Sequence, residues 1–267
     1  MNKLIIFFQI LFLVYFLVLV YLYFFQRNLM YHPNENNYSN DELKVNVEKI
    51  KVITKDGIDL LGWYHEKNLK EFKTLLFFHG NAGKLDNRVY KLNELSKLDL
   101  NYLIVAYRGF SGNAGNPTES GLYDDAYSAK IWLNKNGIED KDIIVYGESL
   151  GTAVAVDLAS RFKFSGLILE SPFTSMVELA QNYYPIFPVK LILKDRYESK
   201  KKLKDIKSAV LVMHGKKDNI VPFYMGEQIF EALLEPKFAY FNDRDDHMME
   251  YNEELIDTIK KFLEQIN

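Results

Sequence analysis

The chain has no cysteine among its 267 residues. That single absence removes disulfides, thiolate metal sites and a cysteine nucleophile, and it leaves the redox compartment open. Proline (7) and glycine (14) are too scarce for a collagenous or low-complexity polymer. Excess charge is missing as well. Lys and Arg number 33 against 36 Asp and Glu, a net charge of −3, so no strong basic field exists to hold nucleic acid at physiological salt. No internal repeat and no long like-charge block is visible. What is present is 48% hydrophobic and 26% charged, the balance of a globular protein whose length suits one large domain or two small ones.

One segment does not belong in water. From Leu4 to Phe25 the only strongly polar side chain is Gln9, and as a helix this run is roughly 33 Å long, enough to cross the hydrocarbon core. It shows no polar face at 3.6-residue spacing. Tyr21, Tyr23, Phe24 and Phe25 gather at its far end, at headgroup level, with Arg27 just after. A cleaved signal peptide fits less well, because bulky Phe24-Phe25-Gln26 stands where small residues are needed. Lys3 and the amino terminus nearly balance Arg27 and Lys44. A signal-anchor with a short cytoplasmic tail is the default, which puts the rest of the chain on the non-cytoplasmic side. The organisation expected is an anchor at 1–29, a polar tether at 30–44 (MYHPNENNYSNDELK) and one folded domain at 45–267. Removing Met1 to Asn28 takes away no expected strand, so that domain is expected to stand alone.

Within the domain, Val45 to Thr54 and Ile58 to His65 read as a hairpin around Lys55-Asp56-Gly57. After it come short, continuously apolar runs: Thr74–Phe78, Tyr102–Ala106, Ile143–Tyr146, Leu167–Leu169, Ala209–Met213 and Phe238–Phe241. Such runs suit strands buried on both faces. Helix-like segments alternate with them: Leu122–Leu133, Thr152–Ala159, Phe223–Leu234 behind Pro222, and an apolar stripe from Leu255 to Ile266. The pattern is an α/β doubly wound, mostly parallel sheet with an N-terminal antiparallel hairpin. The interval 172–206 breaks the rhythm and carries Tyr183-Tyr184-Pro185-Ile186-Phe187-Pro188, so it reads as a small cap over one end of the sheet.

Gly147-Glu148-Ser149-Leu150-Gly151 matches G-x-S-x-G between a strand and a buried helix, the setting of a nucleophile elbow. The helix N-terminus there suits a developing oxyanion. A serine needs a base, and the base an orienting acid. Of five histidines, His32 lies in the tether, His65 ends the hairpin, and His79 and His214 each precede a glycine at a strand end, where supporting the loop is the expected role. His247 remains, in a loop at the C-terminal edge of the sheet. For the acid, Asp218 follows the strand Ala209–Met213, with Asp243, Asp245 and Asp246 as competitors near His247. The order Ser149, Asp218, His247 is that of the Ser…Asp…His pattern on such sheets. The second oxyanion donor, beside the N–H of Leu150, is expected in His79-Gly80-Asn81-Ala82-Gly83, from Asn81 or else Ala82. Gly83-Lys84 is no P-loop, because Phe78 stands where glycine is required, and Gly109, Gly112 and Gly115 have the wrong spacing for a dinucleotide fingerprint. No metal spacing appears, and no cofactor is implied.

Several segments together resemble a known group: HGNAG at 79–83, YRGFSGNAGNPTE at 107–119, GESLGTAVA at 147–155, LESPFTS at 169–175, HGKKDNIVPF at 214–223 and DDHMME at 245–250. From Tyr31 onward the chain resembles membrane-anchored serine hydrolases of the α/β-hydrolase superfamily, close to the α/β-hydrolase-domain proteins that include depalmitoylases, and related to prolyl-oligopeptidase-type hydrolases. The resemblance implies an α/β-hydrolase fold, Ser149, Asp218 and His247 as a triad, and an ester, thioester or amide substrate. Anchor and apolar cap together point to acyl chains presented at a membrane, on a small lipid-like molecule or an acylated protein. Tyr183, Tyr184, Ile186 and Phe187 are the expected pocket lining. A peptidase or amidase and a membrane-tethered interaction protein without activity are the alternatives. The chain has no room for the propeller of prolyl oligopeptidases.

Overall fold

The computed structural model describes residues 3–33 and 42–266. Among them, eight strands form the main sheet: β1 (Glu48–Ile53), β2 (Asp59–His65), β3 (Thr74–Phe78), β4 (Asn101–Val105), β5 (Ile143–Glu148), β6 (Gly166–Glu170), β7 (Ala209–Gly215) and β8 (Lys237–Asn242). Their spatial order is 1-2-4-3-5-6-7-8. The hairpin partners β1 and β2 are antiparallel, and β2 also runs antiparallel to β4. From β4 to β8 every pairing is parallel. Every residue of β3 to β6 is buried, which is why these strands read as unbroken apolar runs with helices on both faces. Parallel pairing brings the C-terminal ends of β3, β5, β6, β7 and β8 to one edge, and their loops form a common rim.

Helix α1 spans Lys3–Met30 and is long and apolar enough to cross a membrane. Most of its large side chains are exposed, but Leu19, Leu22, Gln26 and Met30, three or four apart, are shielded along one face. The other helices are α2 (Val89–Leu95), α3 (Glu119–Lys135), α4 (Leu150–Arg161), α5 (Met176–Tyr183), α6 (Val189–Ile192), α7 (Ser199–Lys202), α8 (Phe223–Ala232) and α9 (Glu253–Gln265). Thr118 accepts from the Gly121 N–H at 2.9 Å and so starts α3 ahead of the expected Leu122. The interval 172–206 holds α5, α6 and α7, the short helices of the cap.

Of the expected tether, residues 34–41 lie outside the described ones, and both described flanks are docked. Tyr31 is buried, and His32–Pro33 pair in parallel with Ala82–Gly83. The Lys44 N–H donates to Asn93 Oδ1 at 2.8 Å on α2. Helix α1, the expected anchor, is not independent of the domain. Gln26 donates to the Ile192 carbonyl at 3.0 Å and accepts from the Lys194 N–H at 2.7 Å. Arg27 forks onto Asp195 at 2.7 and 3.0 Å, and the Tyr31 and Tyr197 hydroxyls meet at 2.7 Å. A domain cut loose at residue 28 forfeits the Gln26 and Arg27 contacts. Counting strands does not reveal them, because they are side-chain contacts across some 166 residues of sequence.

Candidate active site

Ser149 stands between β5 and α4 at φ 51°, ψ −115°, a conformation costing about 1–3 kcal/mol for a residue with a Cβ. The turn is tight enough to dictate its neighbours. A Cβ on Gly151 would overlap the Phe78 and His79 carbonyls, and one on Gly147 would overlap the backbone of Gly151 and Thr152. The two glycines of G-x-S-x-G are therefore a packing requirement that lets α4 press against the end of β3.

Ser149, Asp218 and His247 form one hydrogen-bonded line. His247 Nε2 is 3.0 Å from Ser149 Oγ, and His247 Nδ1 is 2.7 Å from Asp218 Oδ2. An ionised carboxylate only accepts, so Nδ1 carries the proton and Nε2 is free to take the serine's. Asp218 is buried, which by itself favours the neutral acid. Donation from His214 and His247 and from the backbone N–H groups of Ile220 and Val221 outweighs that, and the carboxyl is held well below its usual range. The loop presenting His247 is fixed beside the Asp218 turn: Lys217 N–H donates to the Asp245 carbonyl at 3.0 Å and Lys216 N–H to that of Asn242 at 2.8 Å. The competing acids are engaged elsewhere. Asp243 pairs with Lys216, Asp246 Oδ1 accepts from the Met248 N–H, and the Asp245 carboxyl is buried with its pKa raised by that burial.

His214 is nearer the chemistry than expected. Its Nε2 is 3.1 Å from Asp218 Oδ2 and 3.0 Å from the Val221 carbonyl. Facing two acceptors, that nitrogen carries the proton, and the ring is a second orienter of the acid. The HGKKD spacing is the signal: a histidine at the end of β7 and an aspartate one turn later. His79 does support its loop. Burial pushes it down to about 3, Nδ1 donates to the Gly80 carbonyl at 2.8 Å, and the Tyr107 N–H points at Nε2.

Beneath the elbow lies a closed set of charges. Lys91, fully buried on α2, reaches Glu148 at 2.7 Å and Glu170 at 2.6 Å, and Arg88 reaches Glu148 at 2.6 Å. Two cations face two carboxylates, and the Tyr146 and Tyr251 hydroxyls serve the second oxygen of Glu170. Burial opposes ionisation of Glu148, but Arg88 and Lys91 prevail and its pKa falls. Arg88 also donates to the Ala82 carbonyl at 2.9 Å, tying this cluster to the loop that carries Asn81. From the other side, Asn81 Nδ2 donates to the Met30 carbonyl at 2.8 Å and the Asn81 carbonyl accepts from the His32 N–H at 2.9 Å. The loop is thus clamped between the buried charges and the end of α1.

Above the elbow is a cavity of about 270 Å³ with an apolar lining, which touches Ser149, Leu150 and Asn81. Its walls come from the cap (Tyr183, Tyr184, Phe187) and from α1 (Leu22, Leu29, Met30). Ile186, expected in the lining, is not there. Its side chain is turned outward, 73% exposed, because the Pro185–Pro188 bend points Phe187 inward instead. Among the described residues, no group of three or more His, Asp or Glu side chains is arranged to hold a metal ion.

A hydroxyl on an imidazole that leans on a carboxylate, at the rim of a parallel sheet, is a constellation with relatives. The chain is 33% identical over 199 residues to human α/β hydrolase domain-containing protein 17B, covering 72% of this chain and 66% of that one. It is 32% identical over 221 residues to protein bem46 of Schizosaccharomyces pombe, covering 77% and 74%. This chain belongs to the α/β-hydrolase family. Among solved structures, an esterase of Pyrococcus furiosus superposes with a TM-score of 0.73 at 18% identity, over 89% of this chain and all of that one. At that identity the likeness is one of fold. No protein-family model matches the chain. As an α/β hydrolase it is a hydrolytic enzyme.

Proposed function

We propose that this α/β hydrolase is a membrane-anchored serine hydrolase that cleaves carboxylic ester or thioester bonds of acyl substrates. The observation that carries the reading is the Ser149–His247–Asp218 line opening onto an apolar cavity. In this reading His247 takes the Ser149 proton as Oγ attacks the acyl carbon, and Asp218 keeps the proton on Nδ1 and stabilises the imidazolium. The N–H groups of Leu150, at the start of α4, and Asn81 receive the oxyanion. The imidazolium then protonates the leaving alcohol or thiol, and water activated by His247 releases the acyl group from Ser149.

The apolar walls favour an acyl chain over a peptide, and α1 supports work at a membrane, with the domain on the non-cytoplasmic side. The test is covalent labelling by a fluorophosphonate together with turnover of an ester and thioester panel, each expected to vanish in Ser149→Ala. Persistence of both in that variant overturns the reading. Protease protection in sealed vesicles checks the side of the membrane.

A further inference from the structure

Most backbone carbonyls of the cap segment 184–192 are met by protein donors in an unusual way. Its carbonyls do not wait for water. Gln181 Nε2 faces those of Tyr184, Pro185 and Phe187 at 3.2–3.4 Å. Tyr15, on α1, donates to the Ile186 carbonyl at 2.9 Å, Arg196 to that of Lys190 at 2.9 Å, and Gln26 to that of Ile192 at 3.0 Å. Irregular backbone equipped with side-chain donors is what a hydrocarbon surrounding demands. At the same time the segment turns apolar side chains outward, Ile186 at 73% and Leu191 at 84% exposure.

Depth follows from α1. Lys194 sits over the Tyr23 ring at 4.1 Å and Arg27 pairs with Asp195, which marks the headgroup level at Tyr23–Arg27. Tyr15, stacked on Phe187 with ring centroids 5.9 Å apart, lies about 12–18 Å further along the helix at 1.5 Å per residue. Helical side chains lean toward the N-terminus, so Ile186 and Phe187 sit no shallower than Tyr15 itself. That is close to the middle of a core about 30 Å thick. Lys190 stands toward the Arg196 end, where its stem carries the ammonium back to the headgroups.

We propose that cap residues 184–192 are embedded in the bilayer beside α1, and that α1 is one wall of the acyl pocket, so that a long acyl chain reaches Ser149 from within the membrane along the α1–cap seam. The proposal rests on the serine-hydrolase reading for what happens at the carbonyl. It adds the route and the substrate class, a long-chain ester or thioester resident in the bilayer.

The cysteine-free chain allows a direct test in lipid nanodiscs. Nitroxide labels at Ile186→Cys and Leu191→Cys are expected to collide with oxygen far more than with a water-soluble nickel chelate. The full chain is then assayed on a hexadecanoyl glycerol ester, an S-hexadecanoyl peptide and an acetyl ester. Leu22→Trp is expected to lower the ratio of hexadecanoyl to acetyl kcat/KM at least tenfold for the faster of the two long substrates, which names the headgroup. Leu17→Trp, on the lipid face of α1, keeps the ratio within twofold. Nickel-accessible labels, or a Leu22→Trp ratio equal to that of Leu17→Trp, overturn the proposal. Loss of fluorophosphonate labelling in the wild type instead overturns the hydrolase reading beneath it, and the label depths are read independently of it.

Discussion

The two sides of the nucleophile elbow are built from opposite materials. Below Ser149, Arg88, Lys91, Glu148 and Glu170 form a buried, charge-balanced block in which the ammonium of Lys91 touches two carboxylates. Above it, the cavity is lined by aliphatic and aromatic side chains from the cap and from α1. The block below is rigid because moving any one ion strands its partners in a low-dielectric interior. The cavity above has no such constraint, and apolar contacts of this kind discriminate by length and shape, not by position of charge. In the proposed reading this is a division of labour: ions brace the turn that carries Ser149, and hydrocarbon selects what is brought to it.

That contrast can be broken from the top of the scale downward. Ser149→Ala and His247→Ala should each lower kcat by about 10⁶, with the double variant little worse, since the groups act as a unit; additive losses in an ester assay would separate them. Asp218→Asn should cost about 10⁴ in kcat, while Asp246→Asn stays within a few fold. If Asp246 proved the costly change, the acid would be misassigned. Below the elbow, Lys91→Met leaves two facing carboxylates and should destabilise by about 3–5 kcal/mol, read by denaturant unfolding in micelles, with little effect on which acyl chain is preferred. Above it, the sign is reversed: lengthening the acyl chain should raise kcat/KM by up to about fourfold per buried methylene, the equivalent of about 0.8 kcal/mol, with no change in stability of the free protein. A flat chain-length profile would remove the distinction between the two sides. At the seam, Gln26→Leu leaves the Ile192 carbonyl and the Lys194 N–H without their partner and should cost about 1–3 kcal/mol, read as earlier thermal inactivation.

Much of the lower half was legible in the sequence, and little of the upper. The strands announce themselves because burial on both faces makes them continuously apolar, and the elbow because Gly147 and Gly151 have no room for a side chain. Ser149, Asp218 and His247 could be chosen because each follows a strand at the same edge. Helix α2 was invisible: its buried face includes Lys91 and Asn93, so the apolar period that signals a helix is broken by a buried ion and a buried amide. The cap helices α6 and α7 span four residues each, too short for any periodicity. His214 looked like loop support because its contact with Asp218 is one of geometry at a strand end. The docking of α1 was unreadable for another reason. Gln26 and Arg27 resemble the ordinary polar fringe of a membrane span, and nothing in local sequence says that their partners lie at 192–195.

The link between Met30 and Asn81 has a mechanical side. The last carbonyl of α1 accepts from the Asn81 side chain, and the next turn of chain accepts no slack, because the His32 N–H holds the Asn81 carbonyl. A membrane helix answers a thinner or thicker bilayer by changing its tilt. With α1 in a bilayer and the Asn81 N–H on the oxyanion, as proposed above, the tilting rod ends on that residue, and lipid thickness would act on catalytic alignment. Turnover of a water-soluble acetyl ester in nanodiscs of graded lipid chain length should therefore pass through an optimum, even though that substrate never enters the bilayer.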